Sequence, residues 1–134
     1  MANTFRLRII SMDGVEFKGD VQSVSCRAID GDVAILAHHR NYVTAVGMGT
    51  AKVIMEDGTE KKAACIGGML SMIDNQCSLI VTTWEWEDEI DRERALRAKE
   101  RAEARLADLE ASEKEHKAAE AKLARSLVRL STAK

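Results

Sequence analysis

The residues in this chain that could do chemistry are few. They are three histidines (His38, His39 and His116), three cysteines (Cys26, Cys65 and Cys77) and a dense set of carboxylates and guanidinium groups. A metal site or an acid–base pair needs such groups at ligand spacing. His38 and His39 are adjacent, so on a strand they would point to opposite faces, and His116 stands alone among charges. Surface or structural roles suit all three. The cysteines are odd in number, widely spaced and lack a C-x-x-C pattern; they read as small buried hydrophobes in a reducing compartment. No nucleophile–base pair and no metal constellation assembles, which argues against an enzyme.

Three charged features remain. "EIDRERALRAKERAEARL", Glu89 to Leu106, mixes acids and arginines. Glu89 and Glu93 can pair with Arg92 and Arg97, and Glu100 and Glu103 with Arg101 and Arg105, for about 0.3 kcal/mol each. Lys122, Arg125 and Arg129 recur at helical spacing and share one face, and no acid follows Glu120. Cations near a helix C-terminus complement its dipole. "IDGD", Ile29 to Asp32, reads as a polar turn.

The elements that must carry these groups divide the chain in two. All eight glycines lie between positions 14 and 68, and proline is absent. "FRLRII" alternates apolar and charged residues, the pattern of a half-buried strand. Strands are also predicted at Val21–Ile29, Asp32–Leu36, Thr50–Met55, Lys61–Ile73 and Cys77–Thr83. They are separated by the turn signals "MDG", "IDGD", "EDG" and "DNQ", and Asp57-Gly58 suits a tight hairpin. Residues 1–86 are expected to form an antiparallel β-sandwich or barrel. From Glu87 to Lys134 the composition turns to Ala, Glu, Lys, Arg and Leu, the language of helices. A break near 107–112 is predicted, with "SEKE" (Ser112–Glu115) as a capping box. The expected fold is therefore α+β, with a C-terminal antiparallel α-helical hairpin at 87–134.

Each helix has a largely small-residue seam: Ile90, Ala95, Ala98, Ala102, Leu106 and Leu109, then Ala119, Leu123, Leu127 and Leu130. Alanine buries little area, so the pair is expected to hold weakly. No strong helix breaker occupies the connector, so the helices could also fuse into one rod. A stable pair and a two-state element both fit.

Composition narrows the function classes. The chain has 134 residues, 46% of them hydrophobic and 31% charged, with net charge −2. That balance gives no general attraction to nucleic acid or anionic membrane. No apolar run approaches the roughly 20 residues needed to cross a bilayer, and "MANTFRLRII" lacks the pattern of a signal peptide.

The order of motifs resembles the epsilon subunit of F-type ATP synthases, of bacterial or chloroplast type, equivalent to mitochondrial delta. "FRLRIISMDGVEFKGDVQSV" is similar to the family's opening strand pair. "GDVAILAHHRNYVTAVGMGT" resembles its G-E-x-G-I-L-P-x-H-x-P-L segment, and "CIGGMLSMIDNQCSLIV" its G-G-F element. "EIDRERALRAKERAEARL" matches the helical I/L-D-x-x-R-A signature. Ala34, Ala37 and Arg40-Asn41 depart from the usual Gly, Pro and Ala-Pro, which leaves that loop with fewer backbone restraints.

The resemblance implies a non-catalytic rotor subunit, peripheral on the cytoplasmic face of a bacterial cell membrane. Its partners would be the gamma subunit, the c-ring and the catalytic alpha and beta subunits, with no membrane insertion. It implies that the helices extend along gamma to inhibit ATP hydrolysis, with Lys122, Arg125 and Arg129 meeting an acidic segment of the beta subunit. It implies a c-ring contact at Asp32. No cofactor is required, but regulatory ATP is implied at Glu85, Ile90, Asp91, Arg94, Ala95, Arg125 and Arg129. The alternative is an adaptor unrelated to ATP synthase, with a coiled-coil oligomerisation tail.

Overall fold

The computed structural model describes residues 3–134; Met1 and Ala2, part of the expected β region, lie outside the described residues. Six strands come first: β1 (Phe5–Ser11), β2 (Gly14–Ala28), β3 (Gly31–Leu36), β4 (Tyr42–Met55), β5 (Glu60–Ile73) and β6 (Gln76–Trp86). They form one sheet in the order β1-β6-β5-β4-β2-β3, and an added β1–β2 pairing closes it into a barrel. The long β2 makes closure possible. Its first half pairs with β1, while its second half lies between β3 and β4. All pairings are antiparallel except β1–β6, which runs parallel from Arg6↔Gln76 to Ile10↔Ile80.

Alternation sets the inner face. Phe5, Leu7 and Ile9 of β1 are buried while Arg6 and Arg8 are exposed. They meet Val21, Val24, Ile35, Val53, Leu70, Met72 and Leu79 in one core. β4 begins eight residues before the predicted Thr50–Met55, with Gly47 and Gly49 lying inside it, whereas β5 keeps the predicted bounds to within one residue. At Gly68 (φ +147°) a Cβ would lie 2.1 Å from the Ile80 carbonyl oxygen, so only glycine fits against β6.

The turns follow their side chains. Asp74 and Asn75 (φ 50° and 63°) form the two-residue β5–β6 link, with both residues left-handed as a type I′ turn requires. The "EDG" turn has one left-handed residue, Gly58 (φ +90°), and Asp57 Oδ1 accepts the Thr59 amide at 2.9 Å. In the loop that lacks the usual prolines, Asn41 Oδ1 accepts the Asp74 amide at 2.9 Å and Asn75 Oδ1 accepts the His38 amide at 2.7 Å. Amide side chains supply the restraint there.

Two helices follow, α1 (Arg92–Ala107) and α2 (Glu113–Thr132), packed against each other. Asp91 caps α1, its Oδ1 accepting the Arg94 amide at 3.0 Å. Ser112 caps α2, its hydroxyl accepting the Glu115 amide at 3.1 Å. The Glu115 carboxylate accepts from the Ser112 hydroxyl, not its amide.

The expected seam is only partly buried. Ala95, Ala102 and Ala119 are buried, but Leu109 is 95% exposed and Leu127 47% exposed. Ser126 and Thr132 are buried instead. The reason is that α2 touches β4 and β5 as well as α1, which turns a more polar edge inward. Thr132 meets Thr50 of β4 hydroxyl to hydroxyl at 2.7 Å.

Candidate functional site

The cleft where β6, α1 and α2 come together is the best-built site. Each wall has a local cause. Glu85 lies near the end of β6, opposite Ala64 in the ladder. Its neighbours Trp84 and Trp86 are buried, so alternation turns Glu85 outward. Asp91 is fixed by its capping bond, which starts α1 and sets Arg94 and Ala95 in its first turn. Arg129, in the last turn of α2, donates from Nε to Glu85 Oε1 at 2.5 Å. Two further contacts hold that end of α2: the Thr50–Thr132 bond and the Lys134 amide to the Glu87 carbonyl at 3.2 Å.

The cleft has a volume of about 530 Å³ and is lined mainly by polar groups. Glu85, Asp91, Arg94, Ala95 and Arg129 line it, together with Asp13, Thr83, Glu89, Ala98 and Arg101. Ile90 and Arg125, both partly exposed, are not among the lining residues. Arg101 was missed. It follows Arg94 by two helical turns, so a seven-residue spacing could have flagged it on the same face. Ion pairs among the described residues engage Arg129 but neither Arg94 nor Arg101. Three guanidinium groups therefore face the cleft, two of them without a carboxylate partner.

The basic stripe is divided in the hairpin. Lys122 lies in a second groove between the helices, with Arg101, Arg105 and Glu115. Arg125 is half-buried, and Arg129 is committed to Glu85. Asp32 belongs to β3 and not to the preceding turn, and it pairs with Arg27 at 3.4 Å while 79% of its side chain is exposed. His38 and His39 lie in the turn after β3 and not on a strand. His38 is left-handed (φ 62°), and His39 Nδ1 meets the Arg40 carbonyl at 2.8 Å. The three thiols are buried and desolvated, which raises Cys26 to about 11 and Cys65 and Cys77 to about 12.

Comparison with known proteins places this architecture. Residues 4–87 match the family described as ATP synthase, Delta/Epsilon chain, beta-sandwich domain, and residues 88–134 match its long alpha-helix domain. The chain belongs to the ATP synthase delta/epsilon family. It is 41% identical over 102 residues to the ATP synthase epsilon chain of Caldicellulosiruptor bescii, covering 76% of this chain and 74% of the relative. It is also 41% identical over 108 residues to the sodium ion specific epsilon chain of Acetobacterium woodii, 81% of each chain. The fold matches a chain in the cryo-EM structure of Euglena gracilis mitochondrial ATP synthase with a TM-score of 0.83. That match has 22% identity and covers 98% of this chain and 81% of the other. Membership in the delta/epsilon family sets aside the adaptor unrelated to ATP synthase. The family is that of a stalk subunit of the synthase, and no helix among the described residues is long and apolar enough to cross a membrane.

Proposed function

We propose that this delta/epsilon chain is a central-stalk rotor subunit whose helical pair restrains ATP hydrolysis and is held folded by ATP. The observation that carries the reading is the cleft itself. Glu85 on β6, Asp91 at the cap of α1, Arg94 on α1 and Arg129 on α2 line one space only while the helices lie side by side. A ligand that touches both helices selects that state, and its differential affinity sets how far the population moves.

The donors suit a nucleoside triphosphate. Arg94, Arg101 and Arg129 offer multidentate donors for phosphate oxygens. Arg129 uses Nε on Glu85, and its terminal nitrogens still carry donors. Asp91 spends Oδ1 on the helix cap, leaving Oδ2 to accept from an adenine amino group. Ala95 and Ala98 provide small apolar wall. In the absence of ATP the helices would separate and α2 would carry Lys122, Arg125 and Arg129 toward an acidic surface of the beta subunit. Such pairing supplies register and steering, and weakens with salt.

The barrel would remain the assembly platform. Met69 of β5 and Ile80 of β6 are paired neighbours about half exposed, and Val43 lies diagonally across on β4. An apolar patch on an outer sheet face suits a protein partner, here the gamma subunit. Asp32, with Ile29 74% exposed nearby in the β2–β3 turn, suits the polar loops of the c-ring. Residence on the cytoplasmic face of the membrane follows from that assembly.

Isothermal titration of the intact protein with ATP tests the nucleotide reading. Binding that weakens at least tenfold in both Arg94→Ala and Arg129→Ala is expected. No binding by the wild type, or equal binding by all three proteins, would overturn it.

A further inference from the structure

The connector between the helices is built unlike an ordinary loop. Asp108 takes part in several contacts at once. Its Oδ1 accepts the Glu110 amide at 3.0 Å, its carbonyl accepts the Ala111 amide at 3.3 Å, and His116 Nε2–H donates to the same carbonyl at 2.8 Å. Across the turn, Arg105 Nη1 donates to Glu115 Oε2 at 2.7 Å, joining the last turn of α1 to the first of α2. Glu115 Oε1 meanwhile accepts from the capping Ser112. These contacts converge on the few residues that would have to change for the two helices to become one.

At the two cap residues the backbone change is confined to ψ. The connector holds no glycine or proline, and none of its residues has a positive φ. Asp108 (φ −78°, ψ 108°) and Ser112 (φ −69°, ψ 162°) already carry helical φ values and depart only in ψ. In a continuous helix the Asp108 carbonyl would accept the Ser112 amide, the i+4 partner. In the hairpin His116 and Ala111 occupy it.

Leu109 supplies an independent sign. It is 95% exposed in the hairpin, the highest exposure of any large apolar side chain among the described residues. Extended as a helix, it would follow Leu106 by three residues and Ala102 by seven, on the face that α1 already buries.

We infer that Asp108, His116 and the Arg105–Glu115 pair form a latch that holds the hairpin, and that releasing it lets the connector turn helical and brings Leu109 onto the apolar seam of a single rod. The inference rests on the hairpin–rod exchange proposed above and deepens it by naming what resists the exchange. The latch is separate from the nucleotide cleft. It sits at the far end of the helical pair, so ATP and the latch act at opposite ends of one lever.

Pulsed dipolar spectroscopy on the full chain, spin-labelled at Glu93→Cys and Ser131→Cys, reads the exchange. The native thiols are buried and stay unlabelled. Both sites are exposed in the hairpin, which brings them to the same end of the pair. A rod would separate them by roughly 57 Å at ~1.5 Å per residue. Arg105→Ala and Asp108→Ala should each raise the long-distance fraction at least threefold. The charge swap Arg105→Glu with Glu115→Arg should return it toward wild type. Leu109→Ser should lower it while leaving the hairpin's thermal midpoint unchanged. A long-distance population equal in wild type and all variants overturns the latch alone. Its absence from every variant, with or without ATP, overturns the latch together with the exchange on which it rests.

Discussion

Inside the barrel, Phe5, Leu7, Ile9, Leu70, Met72 and Leu79 are wholly enclosed. Between the helices and beneath α2, the enclosed residues are Ala95, Ala102, Ala119, Ser126 and Thr132. Fully burying one leucine or phenylalanine contributes about 1.5–3 kcal/mol, roughly two to four times what a methyl-sized contact yields. The barrel also closes its ladder on itself, whereas the helices hold to it through a few polar contacts: Thr50–Thr132, Glu85–Arg129 and the Lys134 amide. The barrel is thus held by many large buried contacts and the helical pair by few and small ones. Tight packing of large side chains gives a single state. A seam of small residues with localised polar ties leaves a second arrangement within reach.

Three changes would break or sharpen that contrast. Gly68→Ala strikes the barrel hardest, because the new Cβ meets the Ile80 carbonyl and the backbone is left-handed. A loss on the order of 4 kcal/mol or more is expected, measured by urea unfolding of the whole chain. An unchanged midpoint would show that β5 and β6 can separate locally and that the barrel is softer than its packing implies.

Alkaline pH should act on the barrel next. Cys26, Cys65 and Cys77 titrate near 9.0 when unfolded but at about 11 to 12 when folded. The folded state therefore binds those protons more tightly. Their contribution is complete below pH 9 and is lost as pH rises from 9 toward 12. Each thiol removes up to about 1.4 kcal/mol per pH unit in that window. Urea midpoints at pH 8, 9 and 10 followed by barrel tryptophan fluorescence should fall progressively, and replacing the three cysteines with alanine should flatten the fall.

The smallest effect belongs to the helices. Ser112→Ala removes the cap of α2 and should cost about 1 kcal/mol. Hydrogen exchange should register it in α2 and not in the barrel. Faster exchange in β4 and β5 as well would mean that the two halves open together.

Local chemistry made much of this legible. Ser112 stands three residues before the amide it caps, and "DNQ" marked the Asp74-Asn75 turn, whereas the capping role of Asp91 came only from the structure. Strand alternation located the core, since Phe5, Leu7 and Ile9 can face only one way. Non-local geometry stayed hidden. The parallel β1–β6 ladder joins residues 70 apart, and no short pattern encodes it. The glycines of "YVTAVGMG" masked the first half of β4. Leu109 and Leu127 looked like seam residues because a helical wheel supposes one partner, whereas α2 has two. In the cleft, Arg101 was hidden among other helix-face charges, while Arg125 shares its spacing with Arg129 yet lies outside the lining.

The position of β6 has a mechanical consequence. This strand leads into the helices, and it is gripped by β1 on one edge and β5 on the other. A pull on the helices along β6 would load both ladders in shear, with many backbone hydrogen bonds sharing the force at once. The polar ties of α2 would yield first. Such a strand works as an anchor bolt: load on the helices is spread over two ladders, and the mount stays whole.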